Sequence, residues 1–256
     1  MIPLLNTTLA RTVLSVWAWF WLAVLLLLAL PTVAVIRLVT APFDRGAYAA
    51  GYCFRKIAVA HQVLNPLWTF RVSGELPADH RRPWVVVANH ESFVDMILIS
   101  HLPIEMKWVA KSEFFKIPVV GQLLRLARDI KLVRGSEGAG EHVLREASDR
   151  LSARVSVMLF PEGTRTATGE LGEFKSGAFR IAIATGTPIL PLVVHGTRSA
   201  LIKHDWRFGV STAEVRVLDP VPTDGLTMDD VDELRARVRS MIADELDIMS
   251  ADATTG

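Results

Sequence analysis

The hydrophobic pattern divides the chain into one long apolar N-terminal segment and a longer region of short alternating runs. No charged residue occurs between Arg11 and Arg37. At about 1.5 Å per helical residue, this stretch is long enough to cross a hydrocarbon core of about 30 Å. Three tryptophans stand near its start, where indole rings favour the membrane interface: Trp17, Trp19 and Trp21. We therefore expect a membrane-embedded helix, or a helical hairpin that turns near Pro31.

A second helical pattern follows over residues 46–64 and is partly amphipathic. Its tyrosines and basic residues favour a helix that lies against the membrane surface or against the rest of the protein. We place a domain boundary after it, so that 1–69 form an N-terminal membrane segment with an interfacial helix.

From residue 70 onwards, apolar runs typical of strands alternate with helical patterns. We predict strands at 70–72, 84–88, 106–110, 130–133, 156–160, 189–194 and 215–218. We predict helices at 92–101, 117–126, 140–153, 176–185 and 228–248. Such alternation predicts an α/β fold with a largely parallel central sheet flanked by helices, here covering 70–256.

Composition removes several functional classes. The 256 residues include 28 basic and 27 acidic side chains, so there is no basic excess to suggest nucleic acid as a partner. The single cysteine, Cys53, excludes an internal disulfide and a cysteine-based zinc site.

The first candidate for chemistry is His90, at the end of the valine-rich run 84–88. Asp95 follows five residues later, in the first turn of the next predicted helix. Open α/β sheets place their chemistry where a strand ends and a helix begins. His90 is therefore either a catalytic base at the mouth of the sheet or an ordinary surface turn residue.

A second set of polar residues follows the predicted strand 156–160, in the sequence FPEGTR (160–165). Pro161 and Gly163 favour a tight turn that holds the neighbouring Glu162, Thr164 and Arg165 at the strand end. Arginine suits a bidentate grip on phosphate. The alternative is a plain Pro-Gly turn with solvated charges.

Two further cations stand next to the ends of predicted elements. Lys175 precedes a predicted helix whose N-terminus also attracts anions, and Arg134 follows the predicted strand 130–133. Either cation alone is typical of a solvated surface, and their shared location at strand ends is what suggests an anion site.

Other chemistries lack their sequence signatures. The chain has no second histidine after HESFV, no GxSxG elbow, no Walker A sequence and no GxGxxG. With no activated serine or cysteine evident, direct action of His90 on a substrate hydroxyl is the simpler hypothesis.

Taken together, these stretches resemble the 1-acyl-sn-glycerol-3-phosphate acyltransferase family of glycerolipid synthesis. Its four sequence blocks are matched in order by NHESFVD (89–95), IKLVR (130–134), FPEGTR (160–165) and TPILPL (187–192). The resemblance extends over about 70–217. The second block departs from the family pattern, because Arg128 or Asp129 stands near the usual glycine and Lys131 replaces the central aromatic. The identity of the acceptor headgroup therefore stays open.

The resemblance implies a mechanism for these residues. His90 takes the proton from a lysolipid hydroxyl as that hydroxyl attacks an acyl thioester, and Asp95 orients the imidazole. Glu162 contacts the glycerol portion or orients the arginines. The acceptor phosphate is held by residues from the second and third blocks and by the lysine before the following helix: Arg134, Gly163, Thr164, Arg165 and Lys175. No metal or bound cofactor is required, since acyl-CoA or acyl-acyl carrier protein serves as co-substrate.

The expected function is acylation of lysophosphatidate at its sn-2 hydroxyl, giving phosphatidate. Two alternatives remain: another lysolipid acceptor, such as a lyso-ornithine lipid or a lysophospholipid, and a non-catalytic protein that binds membrane lipids. Because the basic flank after the apolar segment is heavier than the flank before it, we expect the catalytic domain at the cytoplasmic face of the cell membrane.

The sequence also raises the question of a second membrane contact. Trp108, Phe114 and Phe115 stand among Lys107, Lys111 and Lys116. This pattern suits either an exposed patch on anionic lipid or aromatic residues of the core.

Overall fold

A seven-stranded sheet forms the centre of the computed structural model, which describes residues 7–76, 78–166, 169–202 and 205–255. The strands are β1 (Trp68–Gly74), β2 (Val85–Ala88), β3 (Met106–Lys111), β4 (Ile130–Leu132), β5 (Ser156–Leu159), β6 (Ile189–His195) and β7 (Ser211–Val217). They lie in the order β1-β7-β6-β2-β5-β3-β4. Only β6 and β7 pair antiparallel, so the predicted largely parallel α/β sheet is confirmed.

Seven helices accompany the sheet in the described part of the chain. They are α1 (Thr8–Thr40), α2 (Tyr48–Val63), α3 (Asp95–Ile99), α4 (Val120–Leu126), α5 (Ala139–Ser152), α6 (Gly177–Thr185) and α7 (Val231–Thr255). Short 3-10 turns occupy Phe114–Lys116, Thr197–Ser199 and Met228–Asp230.

The central strand β2 is buried on both faces, as its run of valines predicts. Val85 and Val87 pack into the cluster that contains the apolar faces of α5, α6 and α7. Val86 points the other way, into the cluster with Leu98 and Ile99 of α3. Since alternate residues of a strand face opposite sides, a continuous apolar run is what a strand covered by helices on both faces requires.

The helix α1 continues through Pro31, so of the two predicted alternatives the single helix is the one present, and the hairpin is not. Proline removes one intrahelical hydrogen bond, which weakens a helix without always ending it. Here Ala29 and Val33, on either side of the proline, are both buried in a cluster with Ala50 of α2 and Leu123 of α4. Packing on both sides of Pro31 holds the two halves of the helix in line.

The whole length of α1 lies along the α/β domain. Near its start, the Arg11 Nε donates to the Phe208 carbonyl at 3.2 Å, and the Trp19 indole donates to the Trp206 carbonyl at 2.8 Å. Near its end it packs on Leu123. By length and composition it is the one described helix that could cross a membrane, and most of its apolar side chains remain uncovered.

A buried ion pair joins α2 to the sheet. Lys107 and Glu105 lie 2.7 Å apart with both side chains inaccessible to solvent, and the Lys107 ammonium also donates to the Ala47 carbonyl at 2.8 Å. Burial raises the pKa of Glu105, and the positive charge of Lys107 opposes that rise. Gly51 of α2 allows the close approach, since a Cβ there would lie 1.9 Å from a Glu105 oxygen.

Of the two interpretations left open for this segment, the structure favours the core over a membrane patch for Lys107, Trp108 and Phe115. Lys107 is fully buried, and Trp108 and Phe115 are 4% and 6% exposed. The cause is the position of β3 between β5 and β4, where helices cover both faces of the strand. Trp108 and Phe115 belong to the core and Lys107 carries an internal charge, whereas Phe114 is half-buried at the cleft wall.

Replacement of Lys107 by methionine should destabilise the protein by about 3–5 kcal/mol, because the Glu105 carboxylate would stay buried without its partner. Urea unfolding of the purified protein in detergent, followed by tryptophan fluorescence, measures the change. The double variant Glu105→Leu/Lys107→Met should recover most of the loss. A double variant no more stable than Lys107→Met would contradict the assignment of the loss to an unpaired charge.

Candidate active site

The end of β2 is fixed to β6 by the side chain of Asn89. Its amide donates to the Val194 carbonyl at 2.7 Å, and its oxygen accepts the Val194 N–H at 2.8 Å. The side chain thus continues the hydrogen bonding of the sheet past the last residue of the strand. This clamp sets the position of His90, the next residue.

His90 and Asp95 form a hydrogen-bonded pair. The imidazole Nδ1 lies 2.7 Å from Asp95 Oδ2, and the aspartate is fully buried. The same oxygen accepts the backbone N–H groups of Glu91 and Ser92, at 2.8 and 3.0 Å. Asp95 is the first residue of α3, where negative charge suits the helix dipole. These amides form the turn before α3, so the helix begins three residues later than predicted.

The ring of His90 is also fixed from one face. Phe160, the residue after β5, stacks on it with ring centroids 3.9 Å apart and planes 12° apart. Trp108 packs against Phe160 in turn, at 5.9 Å between centroids. Because Nδ1 is bound to Asp95, Nε2 is the nitrogen left for a substrate. Sequence reasoning treated Phe160 only as the end of a strand.

Glu162 lies below the surface instead of at it. It is 7% exposed, and its oxygens accept the backbone N–H groups of His90 at 2.8 Å and Gly172 at 3.0 Å. Burial raises the pKa of this carboxyl, against the lowering effect of these two amides. Arg239 of α7 secures the same loop by donating to the Leu171 and Gly172 carbonyls. Glu162 thus forms a brace between the first motif, at His90, and the loop at Gly172.

The predicted turn at Pro161 is present. Gly163 has a φ of +71°, which favours glycine, and its N–H donates to the Phe160 carbonyl at 2.9 Å. The Lys175 side chain lies directly over it, since a Cβ on Gly163 would be 3.0 Å from Nζ. Glycine is therefore favoured here by the backbone conformation, and a larger residue would also require a small shift of the lysine.

One open cleft of about 1990 Å³ connects these motifs. Of the predicted site residues, the cleft wall includes His90, Arg134, Gly163, Thr164, Arg165 and Lys175, while Asp95 and Glu162 lie behind it. Within the described residues, no carboxylate forms an ion pair with Arg134, Arg165 or Lys175. The cations are available to an anionic ligand beside the imidazole.

The cleft also has an apolar part. Its wall includes aliphatic side chains from strands and from helices on the same side of the sheet: Val109, Leu132, Leu144, Leu159, Ile181 and Leu246. The site therefore combines a base, exposed cations and an apolar surface, which suits a ligand with a hydroxyl, an anionic group and a hydrocarbon chain.

The unusual residues of the second block, Arg128 and Asp129, make their contacts away from the cleft. Arg128 has a φ of +59°, the conformation that glycine adopts most easily, and its guanidinium donates to Asp149 of α5 at 3.0 Å. Asp129 is buried, where it accepts the Trp108 N–H at 2.9 Å and pairs with Arg55 at 2.5 Å. These contacts lie away from the cleft, whereas Arg134 reaches it.

Two residues that sequence reasoning missed complete the surroundings of Asp95. The hydroxyl of Thr197 donates to Asp95 Oδ1 and also lies 3.3 Å from the Glu91 carboxylate. Burial, with the nearby charge of Asp95, raises the pKa of Glu91 to about 7. Glu91 stands inside the first motif and was detectable there. Thr197 is 102 residues from Asp95, so no local pattern could have indicated it.

Comparison with known proteins gives a consistent result. A family model described as "Acyltransferase" matches residues 69–195. The human 1-acyl-sn-glycerol-3-phosphate acyltransferase alpha is 33% identical over 92% of this chain and 81% of its own length. A 1-acyl-sn-glycerol-3-phosphate acyltransferase of the plant Limnanthes alba is 32% identical over 65% of this chain and 61% of its own length.

A solved structure agrees with the sequence relatives. The crystal structure of the 1-acyl-sn-glycerophosphate (LPA) acyltransferase PlsC from Thermotoga maritima superposes with a TM-score of 0.76 at 27% identity, covering 95% of this chain and 97% of that one. Fold, motif order and sequence identity thus point the same way, and the chain belongs to the 1-acyl-sn-glycerol-3-phosphate acyltransferase family.

Proposed function

We propose that this protein transfers a fatty acyl group from a thioester donor to the sn-2 hydroxyl of lysophosphatidate, giving phosphatidate. The observation that carries the proposal is the His90–Asp95 pair, whose imidazole opens into the same cleft as the cations Arg134, Arg165 and Lys175. The relatives named for this activity support the choice of reaction.

In this mechanism His90 is the general base. With its Nδ1 hydrogen donated to Asp95, Nε2 accepts the proton of the acceptor hydroxyl as the oxygen attacks the thioester carbonyl carbon. Asp95 fixes the tautomer and stabilises the imidazolium that forms. The carbon–sulfur bond then breaks, and the imidazolium returns the proton to the departing thiolate. The products are the ester and a free thiol.

The acceptor is held by its phosphate. Arg165 and Arg134 would provide bidentate donors, and Lys175 a point charge, with Gly163 and Thr164 forming the turn around the anion. Holding the hydroxyl next to the base in this way reduces the entropy lost in the reaction itself. Glu162 acts indirectly in this scheme, by bracing the His90 backbone against the turn.

The departures of the second block from the family pattern do not argue against lysophosphatidate as the acceptor. Lys131, which replaces the usual aromatic, is exposed and is not among the described residues that line the cleft. The contacts of Arg128 also point away from the cleft. The acyl donor is a co-substrate, carried on coenzyme A or on acyl carrier protein, and the mechanism assigns no step to a metal or resident cofactor.

We further propose that 1–69 form a membrane-embedded unit and 70–256 the catalytic domain, on the cytoplasmic face of the cell membrane. Contacts near both ends of α1 support a helix lying in one leaflet, along the domain, over one that crosses the bilayer. Its uncovered apolar side chains then meet lipid. The hydroxyl of a lysolipid would lie at the depth of the cleft while its tail stays in the bilayer.

His90→Ala should lower the rate of acyl transfer by about 10²- to 10⁴-fold, which is the usual contribution of a general base. The assay uses washed membranes, labelled lysophosphatidate and long-chain acyl-CoA, with acyl carrier protein donors and other lysolipids as a panel. The exposed His80→Ala is the matched control and should keep wild-type activity. Equal activity in wild type and His90→Ala would remove the mechanism. Wild-type transfer only to another lysolipid would overturn the acceptor.

Arg165→Ala should raise KM for lysophosphatidate by about 10- to 100-fold, since a hydrogen bond to a charged group contributes about 1.5–3 kcal/mol. KM for the acyl donor should change little. Steady-state kinetics with each substrate varied in turn separates the two effects. The control is Arg237→Ala, an exposed arginine on α7 outside the cleft. Equal increases in both KM values would argue against phosphate contact.

The double variant Leu27→Lys/Leu28→Lys should move the protein from the membrane pellet to the supernatant. Both side chains are more than 60% exposed on α1, and a lysine at the centre of an apolar segment costs about 2.5–3.5 kcal/mol. Sedimentation after a high-salt wash measures the distribution, and a thermal melt confirms folding. Glu233→Lys/Ala236→Lys on α7 is the control. An unchanged pellet fraction would contradict the proposed lipid contact.

A further inference from the structure

The Thr197 hydroxyl lies between two carboxylates. It contacts Asp95 Oδ1 in a short hydrogen bond and stands 3.3 Å from Glu91 Oε2. The side chain is completely buried, immediately after β6. Thr197 therefore cannot touch a substrate, and its polar contacts are directed at the back of the His90–Asp95 pair.

The number of protons limits how this cluster can be arranged. A threonine hydroxyl has one hydrogen to donate, and here two carboxylates lie within reach of it. The shorter contact assigns that hydrogen to Asp95. Glu91 completes the arrangement when it is protonated and donates to Thr197 Oγ1. Its other partners are the backbone N–H groups of Gly196 and of Arg198, the latter 3.3 Å from Glu91 Oε2.

We propose that Glu91 and Thr197 are positioning residues, which hold Asp95 from the side opposite His90 and adjust the basicity of the imidazole through the ionisation of Glu91. The inference rests on the proposed role of His90 as base. In the protonated state a chain of hydrogen bonds runs from Glu91 through Thr197 and Asp95 to His90.

The charged groups around Glu91 determine how its ionisation changes the basicity of His90. Asp95 faces it from α3, His90 precedes it in the chain, and Arg198 and His195 belong to the segment around the end of β6. The pKa of Glu91, raised to about 7 by burial and by Asp95, allows it to change charge near neutral pH. Ionised Glu91 adds a second negative charge behind the imidazole, which favours the protonated ring and makes His90 the stronger base.

The first test is the pH dependence of Glu91→Gln, measured in membranes with lysophosphatidate and acyl-CoA. Glutamine keeps the donor to Thr197 but cannot ionise. We expect the wild-type kcat/KM profile to require two ionisations between about pH 5.5 and 9, and the variant profile to require one. The exposed Glu233→Gln should reproduce the wild-type profile. An unchanged profile in Glu91→Gln overturns the proposal.

The second test separates the contribution of the Thr197 hydroxyl from that of the shape of the side chain. Thr197→Val should lower kcat by about 10- to 100-fold with little change in KM, because one hydrogen bond to the Asp95 carboxylate is lost. Thr197→Ser should restore most of it. The matched control is Thr223→Val, at a threonine that is 4% exposed and whose hydroxyl has no hydrogen-bond partner among the described residues. Wild-type kcat in Thr197→Val overturns the proposal.

The outcomes distinguish this inference from the proposed function. An inactive His90→Ala beside wild-type behaviour of Glu91→Gln and Thr197→Val removes the inference alone. Full activity of His90→Ala removes both. If a thermal melt shows that Thr197→Val does not fold, the pH profile of kcat/KM for Glu91→Gln alone decides whether the inference holds.

Discussion

The carboxylate of Asp95 is the point on which the rest of the site depends. It accepts hydrogen bonds from the His90 ring, from two backbone amides and from the Thr197 hydroxyl, while remaining fully buried. A buried charge is stable only when its oxygens are satisfied in this way. Three segments must therefore meet at one residue: the turn after β2, the start of α3 and the turn after β6.

The residues that orient the base and the residues that would bind the acceptor lie in different environments. The groups that orient the base are buried and held by several partners each, as Glu162 and Asn89 illustrate. The cations that would bind the acceptor, such as Arg165, are exposed on the cleft wall. Support by several partners suits a proton transfer that tolerates little misplacement, and exposed cations suit an anion that enters the cleft from outside.

The sequence was informative wherever the signal was local. Continuous valine runs and their spacing predict the parallel sheet, and a strand end followed by His90 and Asp95 predicts the pair, because both depend on neighbours along the chain. Lys107 was misassigned, since a single charge in a strand gives no sign that its partner Glu105 is also buried. The continuation of α1 past Pro31 and the contact of Thr197 with Asp95 depend on residues that are far apart in the sequence, so no local pattern indicates them.

The position of α1 has a consequence for biosynthesis. The backbone carbonyls that accept from Arg11 and Trp19 of this helix belong to Phe208 and Trp206, which are synthesised 197 and 187 residues later. At about 5–20 residues per second, a ribosome needs roughly ten to forty seconds to cover that interval. The N-terminal part of α1 therefore docks only after six of the seven strands have been synthesised, whereas its C-terminal part meets Ala50 of α2 and Leu123 of α4 much earlier.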